Sequence, residues 1–300
     1  MTADAAKEKD RTLRLRVMMW KIRKREIVLE KTLLMGVLNV TPDSFSDGGR
    51  FVRPDKAIRH GLRMVEEGAD MVDLGGESTR PGAEPVSENE ELNRLLPVLE
   101  ALAGRIKVPI SIDTAKPLVA KACLEKGAHI INDISGLKDS GPEMAAVVSD
   151  FSAGLILMHR RGTPKTMQDL THYEDVVEDV LRELKGSVDI ALASGIGHEQ
   201  IVVDPGLGFA KTAEQNIEIL CRLERFHSLG FPLLVGPSRK SFIGTITGRD
   251  IGDREYGTAA AAALAVAKGA AILRGHDVRA IRDAARMAEA IRGESYVRAF

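Results

Sequence analysis

The chain has 300 residues with 42 Lys+Arg against 43 Asp+Glu, a formal charge of −1, which offers no bulk attraction for polyanions and excludes a general nucleic-acid binder. A hydrophobic fraction of 44% with 28% charged residues is too apolar for disorder and too evenly mixed for a fibre. At this length a chain buries about 75% of its unfolded surface, enough for one core without disulfides or a structural metal.

In chain order, residues 1–19 come first: charges break every apolar run and no small-residue cleavage site follows, so they read as a solvated extension rather than a secretory signal. A basic membrane-surface helix over 11–25 is the lesser alternative. VMMWKI (17–22) and EIVLE (26–30) then read as a short hairpin. From residue 33 onward, short runs rich in Val, Ile and Leu alternate with longer helical-period segments, the signature of βαβ units. The runs are LLMGVL (33–38), MVDLG (71–75), VPISI (108–112), HIIN (129–132), GLILM (154–158), QIVV (200–203), PLLVG (232–236) and AAILR (270–274). Between them, Ser87 with Glu90 and Thr171 with Glu174 form S/T-x-x-E helix-start signals, and Ile58, Leu62 and Val65 mark a sheet-facing stripe. Eight strands each followed by a helix predict a single (β/α)8 TIM barrel over residues 20–300 rather than an open doubly wound sheet. Cys123 and Cys221 lie in helical patterns with no CxxC and are expected to be small buried groups of a reduced, cytoplasmic protein. No run approaches the ~20 apolar residues of a membrane span, so no membrane partner is expected.

In a barrel the C-terminal strand ends face the active site. Here they carry Asn39, then Glu77 to Arg80, Asp113, Asn132 with Asp133, His159, Asp204, Ser238 to Lys240, and Arg274 with His276. Any one of these could be a turn former or helix cap. All eight ends being polar points to one ring of ligand-binding groups. Asp113, Asn132 and Asp204 suit the donor and acceptor edge of an aminopyrimidinone such as a pterin or guanine. Arg80, Arg239, Lys240, Arg274 and His276 supply positive charge for phosphate or carboxylate, and barrels often hold phosphate after strands seven and eight. Without HExxH or EF-hand spacing, Mg²⁺ held by Asn39 and a substrate diphosphate is expected over an all-protein metal cage. Two loops rich in turn formers, 39–49 and 75–87, read as mobile lids.

The motifs MGVLNVTPDSFSDGG, GADMVDLGGESTRPGA, SIDT, NDISG, LMH with RGTP, DPGLGFAKT, SRKSFIG and RGHDV together resemble the dihydropteroate synthase family, from about Trp20 to the C-terminus. Those folate-pathway enzymes join p-aminobenzoate to a dihydropterin diphosphate. The resemblance implies a pterin pocket of Asp113, Asn132, Asp204 and Lys240, with Met158, Phe209 and Arg274 on the ring faces. It implies diphosphate and Mg²⁺ contacts from Asn39, Arg80, Arg274 and His276, with Asp47 close by. The p-aminobenzoate would lie near Phe45, Thr79, Arg80 and Pro81, its carboxylate at Ser241. A homodimer paired through late helices and sensitivity to sulfonamides are implied too. Departures are small: Leu207 and Ala210 stand where the family often has Phe and Gly, Pro237 precedes SRK, HRRG replaces a more usual HMRG, and Gly275 precedes HDV. Two rivals share the barrel class: a methyltetrahydrofolate-dependent methyltransferase, which would have no use for the diphosphate and arylamine features, and a catalytically silent binding paralogue.

Overall fold

The computed structural model describes residues 18–41 and 54–293. It opens with an antiparallel hairpin, β1 (Met18–Ile22) and β2 (Arg25–Leu29). β1 thus begins two residues inside the stretch expected as the extension, and residues 1–17 lie outside the described ones. From residue 18 the backbone is strand, not the basic helix weighed for 11–25, because Trp20 and Ile22 alternate inward with period two and are both fully buried.

Eight parallel strands follow: β3 (Leu33–Asn39), β4 (Met71–Gly75), β5 (Ile110–Asp113), β6 (Ile130–Asp133), β7 (Gly154–Met158), β8 (Ile201–Asp204), β9 (Leu234–Val235) and β10 (Ile272–Gly275). They pair in the order β8-β7-β6-β5-β4-β3-β10-β9, and a parallel bridge between Val203 and Leu233 joins the two ends. The sheet therefore closes on itself. Around it run α1 (Pro54–Glu66), α2 (Glu88–Ala103), α3 (Pro117–Glu125), α4 (Gly141–Asp150), α5 (Val176–Ala193), α6 (Ala213–Cys221), α7 (Ser241–Thr247), α8 (Glu255–Ala267) and α9 (Val278–Ile291). This is the expected (β/α)8 barrel. Among the described residues no helix is long and apolar enough to cross a membrane.

Alternation along the strands builds both the core and the site. Outward residues such as Leu38, Leu74, Ile112 and Leu157 pack under the helices in one large cluster. Inward residues at the strand starts, among them Met35, Met71, Ile130, Ile156, Val202 and Ile272, form a second cluster with Trp20, Ile22 and Leu29. The hairpin thus plugs the foot of the barrel, and the Trp20 indole N–H donates to the Gln200 carbonyl at 2.9 Å. One inward step further, the same row turns polar: Met71 gives way to Asp73, Ile130 to Asn132, Val202 to Asp204 and Ile272 to Arg274. A one-residue register slip would send that layer into the helix-facing core.

On α1 the stripe Ile58, Leu62 and Val65 packs against the core as its spacing predicts, beside the buried Ala57, Gly61 and Met64. Two local expectations are corrected. Helix α5 is capped not by Thr171 but by Asp175, whose carboxylate accepts the Val177 and Glu178 N–H groups at 2.9 and 3.1 Å. The intervening residues turn Tyr173 onto the Arg161 guanidinium, 3.9 Å from the ring centre, so the helix starts one turn later. Cys123 is buried, but Cys221 ends α6 just past the buried Ile219 and Leu220 and is exposed.

Candidate active site

The floor of the site is a layer of inward side chains at the upper ends of the strands. Asp73 on β4 is fully buried, and its Oδ2 accepts from Arg274 Nε at 2.6 Å and Asn132 Nδ2 at 3.0 Å. Arg274 Nη2 donates to Asp113 Oδ2, also at 2.6 Å. One guanidinium therefore joins two buried carboxylates. Buried Oδ1 atoms of Asp73, Asp113 and Asn132, together with Ser111 Oγ, have no protein partner. Such atoms are costly to leave unpaired, so the layer calls for a ligand edge rich in N–H donors.

Beside this layer, Asp204 Oδ1 accepts the Gly206 N–H at 2.8 Å, opening a turn that brings Phe209 back over the cavity. The cavity is lined by Asn132, Ile134, Met158, Asp204, Leu207, Phe209, Gly236, Lys240 and Arg274. Ile134, Met158, Met167, Phe209 and Ala210 form its small apolar cluster. Lys240 Nζ sits 3.9 Å from the Phe209 ring centre, and the lysine stem presses on Gly208, where a Cβ would meet Lys240 Cδ at 2.8 Å. The SRK turn places Lys240 by holding Arg239 at φ 58°, with the Arg239 N–H donated to Thr258 Oγ1 at 3.1 Å. Polar edges and an apolar wall around a small space suit a flat heterocycle.

Burial sets the charges. It pushes the Asp113 carboxyl up to about 7, a rise that Arg274 opposes and that Asp73 and Glu91 add to. Asp204 is raised by burial too, against the pull of Gly206, Lys240 and Arg274. Lys240 is drawn down to about 8 by burial and Arg274, with Asp204 and Asp113 resisting. For Arg274, burial works against the charge, but Asp73 and Asp113 outweigh it and hold the guanidinium protonated.

At the rim, His276 Nδ1 is 3.0 Å from Ser238 Oγ and Nε2 is 3.4 Å from Asn39 Nδ2. Burial, followed by Arg239, Arg274, Lys240 and Arg80, lowers the His276 imidazole to about 3. So Asn39, His276 and the cations Arg80, Arg239, Lys240 and Arg274 share one electropositive edge. Thr79 is half-buried, Arg80 and Pro81 are exposed, and Ser241 is the first residue of α7. Phe45 and Asp47 lie outside the described residues. The loop 75–87 is tethered at its base, where Lys116 binds Glu77 and Glu91 and Arg94 donates to the Gly76 carbonyl at 2.7 Å. Its tip reaches the loop after β7: Gly82 N–H donates to Pro164 O at 3.0 Å, and Lys165 pairs with Glu84 at 2.6 Å.

Two strand-end groups read as ring members serve the loops instead. Asp133 points outward, and its carboxylate accepts from Ser135, Leu137 and Ser140. His159 is buried behind the cavity against Glu183 and Lys211. Conversely, Asp73 belongs to the floor although it lies inside a strand rather than past its end. An acid in the middle of the apolar run MVDLG, at inward parity, is the signal that finds it.

This fold and floor define a pterin-binding barrel, and the family model described as pterin binding enzyme matches residues 35–276. A Synechocystis sp. dihydropteroate synthase is 50% identical over 263 residues, covering 87% of this chain and 91% of the relative. A solved Xanthomonas albilineans dihydropteroate synthase with 4-aminobenzoic acid superposes with a TM-score of 0.85 at 43% identity, covering 91% of this chain and 97% of that one. A Yersinia pestis dihydropteroate synthase in a sulfonamide complex does so with a TM-score of 0.86 at 41% identity, covering 93% and 100%. The chain belongs to the dihydropteroate synthase family.

Proposed function

We propose that the chain condenses 6-hydroxymethyl-7,8-dihydropterin diphosphate with p-aminobenzoate, giving 7,8-dihydropteroate and diphosphate. The observation that carries this reading is the buried Asp73–Arg274–Asp113 layer with Asn132, its unpaired acceptors facing a donor-rich ligand beneath a cationic rim. Asp113, Asn132, Asp204 and Lys240 hold the pterin edge, and Met158, Phe209 and Arg274 pack on its faces. The bond from the pterin methylene carbon to the diphosphate oxygen breaks with its electrons leaving on the diphosphate. The arylamine nitrogen then bonds to that carbon and loses a proton. No side-chain nucleophile takes part: the carboxylates of the floor favour positive charge on the pterin, while Arg80, Arg274 and His276 receive the departing anion.

The p-aminobenzoate sits between the two loops, near Phe45, Thr79, Arg80 and Pro81, with its carboxylate at Ser241 and Asp47 close to the reacting end. Loop closure gains from proximity and keeps water from trapping the cation. Mg²⁺ is the cofactor this reading implies. Asn39 at the rim would contribute its side-chain oxygen, and among the described residues no group of three or more His, Cys, Asp or Glu is placed to hold a metal. That donor set fits an ion that takes one or two protein groups and keeps water and phosphate ligands. Bound with the diphosphate, it would neutralise charge on the leaving group.

A second copy pairs through the late helices; exposed Tyr256 and Leu264 on α8 with Met287 and Ile291 on α9 support this. The setting is the cytoplasm, which two unpaired cysteines suit. A diphosphate-release assay with and without p-aminobenzoate tests the activity. Release that requires p-aminobenzoate is expected; a chain that binds the pterin but releases nothing with both substrates present refutes it.

A further inference from the structure

Behind the cavity lies a charged group with no place in the reaction above. Lys211 is 4% exposed, and among the described residues its ammonium bonds to no carboxylate. Nζ instead donates to His159 Nδ1 at 3.0 Å, Gly206 O at 3.0 Å and Phe209 O at 2.9 Å. Three acceptors match the three N–H bonds of an ammonium, whereas a neutral amine has two. Burial pulls this lysine down to about 7, with Lys240 and Lys138 adding to the fall and Asp204 and Glu183 opposing it.

While Lys211 carries its charge, the cage also fixes a tautomer. Lys211 can only donate in its charged form, so His159 Nδ1 accepts and the imidazole proton is on Nε2, facing Glu183 Oε2 at 3.1 Å. Glu183 in turn collects Lys138 at 2.6 Å and Arg161 at 2.8 and 2.6 Å. The lysine charge is thus countered through an imidazole rather than by contact.

The turn wound around this ammonium depends on glycine and holds one alanine in the left-handed region. Gly206 at φ +67°, Gly208 at φ +81° and Ala210 at φ +50° are all left-handed, and a Cβ on Gly206 would sit 2.0 Å from the His159 carbonyl oxygen. Two of the three acceptors of Lys211 are carbonyls of this turn. The turn starts at Asp204, carries Phe209 and thereby seats Lys240 over the ring.

We propose that Lys211, oriented by His159, is a positioning residue for the pterin: it fixes the 205–209 turn so that Asp204, Phe209 and Lys240 meet the ligand together. This rests on the pterin-binding reading of the cavity. The test measures pterin diphosphate affinity by calorimetry, and steady-state constants, for Lys211→Met, His159→Asn and His159→Leu in the full chain. Lys211→Met keeps the stem and removes the donors. Its affinity is expected to fall at least about tenfold, the loss of one charge-assisted hydrogen bond carried through to the site. The KM for the pterin should rise in step, while kcat stays within about threefold and the KM for p-aminobenzoate is unchanged.

His159→Asn keeps an acceptor near the Nδ1 position and should bind like wild type; His159→Leu should behave like Lys211→Met. Pterin affinity of Lys211→Met within about twofold of wild type overturns the proposal, as does an equal loss in both His159 variants. If Lys211→Met does not fold, the His159 pair decides alone. A wild-type chain that binds pterin without forming dihydropteroate refutes the activity and leaves this comparison of affinities standing.

Discussion

Asp73→Asn separates the charge of the buried layer from its shape. The amide oxygen can still accept from Arg274 Nε and Asn132 Nδ2, so the geometry at 2.6 and 3.0 Å has no reason to shift. Making the Arg274 bond neutral on one side costs about 1 kcal/mol, since charge-assisted bonds are roughly twice as strong. The larger effect falls on Asp113. Two carboxylates on one guanidinium repel by about 3 kcal/mol at an effective dielectric of about 20, or about 2 pKa units. Burial is the first cause of the Asp113 shift to about 7 and survives the substitution, so a fall of about one to two units is expected.

The sign is fixed by what the ligand needs. A protonated Asp113 cannot accept a second N–H from the pterin, so wild-type affinity should drop as pH falls through about 7. In Asp73→Asn that drop should move to lower pH. The free protein reports the same group: a raised acid stabilises below its unfolded value of 3.8, and that contribution fades as pH rises through about 7. The variant should show a shallower decline. Calorimetric titration of a non-reacting pterin from pH 5 to 9, in buffers of different ionisation enthalpy, reads both affinity and proton release. An unchanged acid-side midpoint in a variant that melts like wild type would refute the coupling between Asp73 and Asp113.

Other outcomes follow from the same geometry. Asp204→Ala or Lys240→Ala should cost about 1.5–3 kcal/mol of pterin binding, the range for hydrogen bonds to charged groups, and unchanged calorimetric affinity in both would remove them from the pocket. Sulfonamides should compete with p-aminobenzoate in steady-state assays; failure to compete at millimolar concentration would count against the assigned arylamine site. At Ala210, φ 50° makes Gly tolerable and a β-branched residue strained, so Ala210→Gly should stay within about 1 kcal/mol of wild type while Ala210→Val loses about 2 kcal/mol or more by denaturant unfolding. Trp20→Ala empties the plug and should cost about 3–5 kcal/mol with pterin affinity retained at temperatures where it stays folded.

Much of this architecture is legible in the chain because the barrel puts its chemistry where apolar runs stop. MVDLG and GLILM coincide with β4 and β7, and Asp113, Asn132, Asp204 and Arg274 each close or nearly close a strand. PLLVG shrinks to a two-residue β9, for Pro232 has no N–H to give a ladder. Asp73 is less legible, because it sits inside a strand rather than at its end and the partner that gives it meaning, Arg274, is 201 residues away. On α1 the apolar stripe Ile58, Leu62 and Val65 is legible from its spacing and packs on the core, while the buried Ala57 and Gly61 beside it carry no hydrophobic bulk to mark them. Asp175 displaced Thr171 as a cap through a contact between Tyr173 and Arg161 that no local pattern encodes.

The division between a strand-built floor and a loop-built rim has a consequence for escape from inhibitors. A compound that competes for the rim contacts residues such as Thr79, Arg80 and Pro81, half-buried or exposed on a loop, where a substitution disturbs little else. A compound seated on the floor contacts Asp113, Asn132 or Arg274, each already bonded to another side chain of the floor. Any change that repels it there also breaks the protein's own lattice, so resistance should arise slowly at the floor and readily at the rim.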